Sequence, residues 1–99
     1  MISRVFKAKI ADGRYSDFQI NFRKIALPLI KSHDGLLSLS AGRLPDDADH
    51  DFMLVTNWES LEHVKAFAGD DWQEPLIPSG MDTFMEEVWL DHYDLFEHA

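Results

Sequence analysis

Two spacings of apolar residues run through this chain, and the switches between them divide it into six elements. Residues 2–10 are β-prone, with Ile2, Phe6 and Ile10 on one face, and they stop at the turn pair Asp12-Gly13. From there the spacing lengthens. Ser16-Asp17-Phe18-Gln19 fits a capping box, with Tyr15 and Ile20 where a hydrophobic staple places them, and Phe18, Phe22, Ile25 and Leu29 form the stripe of a first long helix. Pro28 has no N–H and crowds the carbonyl four residues back, which predicts a kink or an end near residue 27, with Leu29 and Ile30 in a last irregular turn.

Asp34-Gly35 reverses the chain into a second strand, residues 36–44, with Leu37, Leu39 and Ala41 on one face and Ser38, Ser40 and Gly42 on the other. A third strand, residues 51–58, is apolar at Phe52, Met53, Leu54 and Val55, so both of its faces are expected to be covered. Ser60 caps a second helix striped by Leu61, Val64 and Phe67 and closed by Gly69. Residues 70–83 hold Trp72, Pro75, Pro78 and Gly80 and predict irregular structure with at most one helical turn; residues 84–96 predict a final long strand. The order βαββαβ is the ferredoxin-like split unit of the α+β class, an antiparallel sheet with both helices on one face. The other face stays apolar and calls for a second copy.

Composition narrows the functional classes. A chain of 99 residues, 45% hydrophobic and 12% aromatic, is expected to form one domain spanning 1–99. It has neither a run of about 20 apolar residues nor a leader pattern, so it is expected to be soluble, cytoplasmic and free of membrane. The lack of cysteine excludes disulfides, thiolate metal sites and thiol nucleophiles. A net charge of −9 argues against nucleic acid and anionic lipid as partners. That charge is divided unevenly: residues 1–44 carry eight Lys and Arg against three acids, and residues 45–99 carry Lys65 against fifteen. Arg4, Lys7 and Lys9 on the first strand are therefore placed to oppose Glu86, Glu87, Asp91 and Asp94 on the last. The acidic loop from Pro45 to His50 lacks the ligand spacing of a calcium loop and reads as a solvated hairpin connection; no metal site is expected anywhere.

Several short features resemble one family when taken together. They are the Leu27-Pro28 pair ending the first helix, the strand after Gly35, the junction Asn57-Trp58-Glu59-Ser60, then Phe67-Ala68-Gly69, and His92-Tyr93 on the last strand. This set resembles the antibiotic biosynthesis monooxygenase family of dimeric α+β barrels, whose small members pack two sheets face to face and keep a cavity between sheet and helices in each subunit. Haem-degrading relatives in that superfamily use a first-strand Asn, a second-helix Trp and an iron-binding His shortly after it. Here Phe67 fills the Trp position, residues 68–80 hold no His and the first strand holds no Asn. The resemblance therefore implies the cofactor-free style of the family, a homodimer that oxidises a small aromatic or quinol-like molecule with O2. A non-catalytic ligand-binding or accessory dimer and an aldol-type cyclase are the alternatives on the same fold.

The candidate residues follow from the strand ends. His92 reads as a general base, or as a packed histidine tied to a carboxylate such as Asp91 or Asp94; Tyr93 has the opposite parity, so only one of the two faces a cavity. Asn57 and Trp58 sit where a strand end projects into a helix–sheet cavity, as an amide and an indole N–H able to hold a ligand oxygen, although Trp58 serves equally as core. Phe67 lies on the apolar stripe of its helix. His63, one turn earlier, either reaches the pocket or faces solvent. Trp72 is a candidate lid over the cavity mouth or an anchor under its own loop.

Overall fold

The computed structural model describes residues 1–46 and 51–99. Four antiparallel strands, β1 (Ile2–Ile10), β2 (Leu36–Arg43), β3 (Asp51–Trp58) and β4 (Met85–Asp94), form one sheet in the order β2-β3-β1-β4. With the helical segments between them this is the α+β ferredoxin-like fold that the βαββαβ order predicts. The acidic stretch 47–50, with His50, lies outside the described residues.

Strand alternation decides what each face holds. On β1 the even positions Phe6, Ala8 and Ile10 are buried beneath the helices, whereas Lys7 is exposed on the outer face. Register carries this parity across the sheet: Phe6 lies opposite Leu54 of β3 on one side and Leu90 of β4 on the other. The charge complementarity expected between β1 and β4 is realised at Lys9, which faces Glu87, but Arg4 faces His92 rather than a carboxylate.

The second strand departs from its simple alternation. A register shift between Leu36 and Ser38 turns Leu36 and Leu39 toward the core and leaves Leu37 49% exposed. A bulge of this kind adds one residue on one side of a pair and so reverses the parity beyond it.

The first helical stretch begins earlier and runs further than its sequence signals suggest. Gly13, at φ 75°, turns the chain so that the Arg14 carbonyl accepts from the Phe18 N–H at 2.9 Å. The helix α1 (Tyr15–Asn21) thus starts before Ser16, there is no side-chain cap, and Ile20 is 50% exposed rather than stapled. Nor does Pro28 end the helix. A wide π turn, Phe22–Ala26, closes with the Leu27 N–H bonded to the Phe22 carbonyl, and Pro28 then lies in the first turn of α2 (Leu27–Lys31), where a missing N–H costs little. The wider turn moves the buried stripe to Phe18, Phe22, Ala26 and Ile30, leaving Ile25 and Leu29 partly outside.

Aromatic packing joins this stretch to the sheet. Phe18 meets Phe52 edge-on at 4.8 Å between ring centroids and Phe22 meets the same ring at 5.3 Å. Burying each such side chain contributes about 1.5–3 kcal/mol. On the other side of the sheet's helical face, α3 (Leu61–Ala68) is capped by Ser60, whose Oγ accepts from the His63 N–H, and ends at Gly69 with φ 85°. The segment 70–83 is irregular apart from a single 3₁₀ turn, Asp82–Phe84, as its Pro and Gly content predicts.

Gly35 gives the clearest stability prediction. Its φ is +88° and a Cβ there would collide with the His63 ring, while Gly13 and Gly69, also at positive φ, have open space. Left-handed backbone costs a non-glycine residue about 1–3 kcal/mol. Gly35→Ala is expected to lose at least that much in urea unfolding at unchanged m-value, and more than Gly13→Ala or Gly69→Ala.

Candidate functional site

A cavity of about 50 Å³ lies between the sheet and the first helical stretch. Phe22 and Ala26 come from the π turn, Leu54 from β3 and Phe67 from α3, and the irregular strap Leu76-Ile77-Pro78 covers it. Among the described residues only Arg4 and Thr56 bring polar groups to its wall. Both are buried, Arg4 at 5% exposure.

These two side chains and His92 occupy one rung of the sheet. Register pairs Thr56 with Arg4 and Arg4 with His92, all on the helix-facing side. The Arg4 Nη1 donates to the Trp72 carbonyl at 2.6 Å and to His92 Nε2 at 2.9 Å, and Nη2 reaches the Glu74 carbonyl at 3.4 Å. The guanidinium also lies 5.8 Å from the Phe67 ring centroid. Burial lowers the Arg4 pKa to about 10, which leaves it charged at neutral pH. An arginine can only donate, so the His92 Nε2 facing it must be the unprotonated acceptor. Burial chiefly, then the neighbouring Arg4 charge, lower the His92 pKa against the opposing pull of Asp91.

The sequence candidates divide around this centre. Phe67 lines the cavity, its ring stacked on Trp58 at 4.9 Å and met edge-on by His33 at 4.9 Å. Trp58 points inward but is fully buried behind that ring, and its Nε1–H is taken up by Thr56 Oγ1 at 2.9 Å. Asn57 points to the opposite face of the sheet, where its Nδ2 donates to Ser38 Oγ at 2.9 Å; adjacent strand residues cannot both face the cavity. His92 faces the helices and Tyr93 the outer side, as parity requires, yet His92 borders Arg4 rather than the cavity wall itself. Trp72 packs edge-on against His92 at 4.9 Å. His63 stays at its helix start, with Nδ1 2.7 Å from Ser60 Oγ and Nε2 3.6 Å from Glu59.

Arg4 and Thr56 were not among those candidates. Each interrupts an otherwise apolar parity, Ile2-Arg4-Phe6-Ala8-Ile10 on one strand and Phe52-Leu54-Thr56-Trp58 on the other. That interruption is the signal by which sequence alone could have found them.

The amino-acid sequence matches the family model for antibiotic biosynthesis monooxygenases over residues 1–72. This chain belongs to that family. Solved structures agree on the fold. A candidate antibiotic biosynthesis monooxygenase from Nitrosomonas europaea superposes with a TM-score of 0.77 at 15% identity, covering 98% of this chain and 100% of that one. The Mycobacterium tuberculosis protein Rv0793 gives 0.74 at 11% identity, over 99% and 97% of the two chains. A point mutant of MhuD with two manganese protoporphyrin IX molecules per active site gives 0.74 at 14% identity, over 100% and 98%. No curated protein matches the sequence. The described walls of the cavity present no histidine to ligate a porphyrin metal. Among the described residues no cluster of three His, Asp or Glu could hold a metal ion, and no helix is long and apolar enough to cross a membrane.

The His92 environment predicts a pH effect whose sign is fixed. Its folded pKa lies below the ordinary 6.5, so the unfolded chain binds more protons between the two values and stability falls as pH drops through that window. Above about 6.5 the contribution is complete. Following the imidazole by NMR should show titration below 6.5, and His92→Gln should flatten the acid limb of the stability profile.

Proposed function

We propose that this protein is a cofactor-independent monooxygenase acting on a small phenol or quinol, working as a homodimer. The observation that carries this reading is the almost wholly apolar, partly open cavity with its polar groups gathered on one rung. An apolar wall disfavours water and strengthens electrostatic contacts to a bound anion. The reaction needs no outside reductant. A phenol loses its O–H proton and a ring hydrogen; one oxygen atom of O2 becomes the new carbonyl and the other leaves as water, all four electrons coming from the substrate.

His92 is the base in this proposal. It borders the cavity's charged residue and its lowered pKa keeps it neutral at physiological pH; its one acceptor nitrogen, Nε2, holds the Arg4 N–H, so it takes the proton as Arg4 turns to the ionising substrate oxygen. Because the imidazole borders Arg4 and does not itself line the cavity, a ligand-binding role without turnover is the second reading; it draws support from the same geometry.

The dimer rests on the outer face of the sheet. Met53, Trp89 and Tyr93 are 37%, 46% and 54% exposed there, and the Asn57 Oδ1 is buried without a hydrogen-bond donor among the described residues. An apolar face with an unmet acceptor is what a second sheet would cover. Light scattering on a sizing column should give about twice the 11.4 kDa chain mass, and a monomer at micromolar concentration would remove the barrel arrangement from the proposal.

Oxygen uptake tests the chemistry. General-base catalysis is worth about 10²- to 10⁴-fold, so His92→Ala should lower uptake with a hydroquinone substrate by that order, and His98→Ala in the tail should leave it unchanged. The wild-type kcat/KM should fall as pH is lowered through the His92 pKa. If a broad panel of phenols and quinols binds without any oxygen uptake, the binder reading replaces the enzyme.

A further inference from the structure

The charge at the end of the cavity has no counter-charge. Arg4 bonds to two backbone carbonyls and one neutral imidazole, and none of its partners among the described residues is a carboxylate. A buried guanidinium without an anion is unfavourable, and none of this chain's eighteen acids is seen bonded to it among the described residues. Directly opposite in register, Thr56 Oγ1 accepts the Trp58 indole N–H, and its own hydroxyl hydrogen has no acceptor among the described residues. Two side chains with donor capacity to spare therefore stand in the wall of one apolar chamber.

We infer that the cavity binds a single-ring aromatic anion, its ionised oxygen held between Arg4 and Thr56 and its ring among Phe22, Leu54 and Phe67. A guanidinium offers five N–H groups, and three contacts are made here, so donors remain for an oxyanion. Charge-assisted bonds from arginine to a carboxylate or phenolate are stronger than its bonds to carbonyls. The contact to the Glu74 carbonyl is the longest of the three and the first to yield.

Size favours the smallest aromatic ligand. An apolar cavity of about 150 Å³ admits benzene, and this one measures about 50 Å³. The strap must therefore move outward to admit one ring. Leu76, Ile77 and Pro78 lie in irregular chain outside the sheet ladder, where the Met81 N–H on the Pro78 carbonyl at 3.0 Å is a turn bond of the same segment, and a single ring asks the smallest displacement of them.

The assignment deepens the proposed function by naming a substrate class, and it rests on that reading for the cavity being where substrate sits. Binding is measured without turnover, which separates the two. Calorimetric titration of the wild type with benzoate and with benzamide, its neutral isostere, should show benzoate bound at least tenfold more tightly. Arg4→Gln should abolish that preference and Thr56→Val reduce it severalfold, with near-UV circular dichroism unchanged. A nitrophenol ionised at the working pH, run against phenol, tells a phenolate site from a carboxylate site; a preference for either anion over its neutral partner supports the assignment. Equal affinity for both members of both pairs, or no binding of any, overturns it even where Arg4→Gln fails to fold. Oxygen uptake lost with the anion preference intact removes the oxidation reading alone; uptake present without that preference removes this assignment alone.

Discussion

Burying a guanidinium without a carboxylate forces a protein to hold it with dipoles, and that constraint organises the helix-facing side of this sheet. Arg4 extends from the first strand, takes the Trp72 and Glu74 carbonyls as partners, and so ties the segment after α3 back onto the sheet. Those carbonyls belong to irregular chain, where no strand or helix partner competes for them. The strap that follows then lies over the cavity, and the imidazole on the neighbouring strand is kept unprotonated so that it too can accept. One hydrogen-bond network thus sets the position of the cover, the protonation of His92 and the polarity of the cavity end.

The apolar part of the chamber has a separate origin. Phe22 and Ala26 face inward because the π turn before Pro28 widens the helix and rotates its stripe, and their neighbours Phe18 and Phe52 lock that rotation by edge-on contact. A regular α-helix through the same residues would direct Ile25 and Leu29 to the core in place of Ala26 and Ile30. Ala26 is small, and its place on the wall leaves space that a larger side chain would fill. Shape comes from the helix and charge from the sheet.

Legibility in the sequence followed the range of the forces involved. β1, β3, α3 and its two ends were plain, because a period of two, a short apolar run, a Ser cap and a helix-ending glycine are local properties. The start of α1, the π turn and the bulge in β2 were not, since each depends on how the segment meets the sheet rather than on its own residues. Asn57 shows the same limit at the scale of one side chain: the rule that separated His92 from Tyr93 also separates Asn57 from Trp58, and only one of that pair faces the helices. Thr56, Arg4 and His92 each break the apolar parity of a different strand. Only the register between strands brings those three breaks onto one rung, and register is not written in any one strand.

The electrostatics of the whole molecule act against the charge at its centre. A chain of net charge −9 repels anions at long range, and Asp70, Asp71 and Glu74 lie on the very segment that Arg4 holds down. At physiological ionic strength that repulsion is screened over about 8 Å, so it slows approach more than it opposes binding. Arg4 acts over hydrogen-bond distance in a medium of low polarity, where its attraction is screened least. For the anion site inferred at Arg4, the acidic exterior would act as a kinetic filter and the buried guanidinium as an equilibrium one. A substrate that arrives neutral and ionises inside meets the second without crossing the first, which is the order of events a phenol and a neutral imidazole beside Arg4 allow.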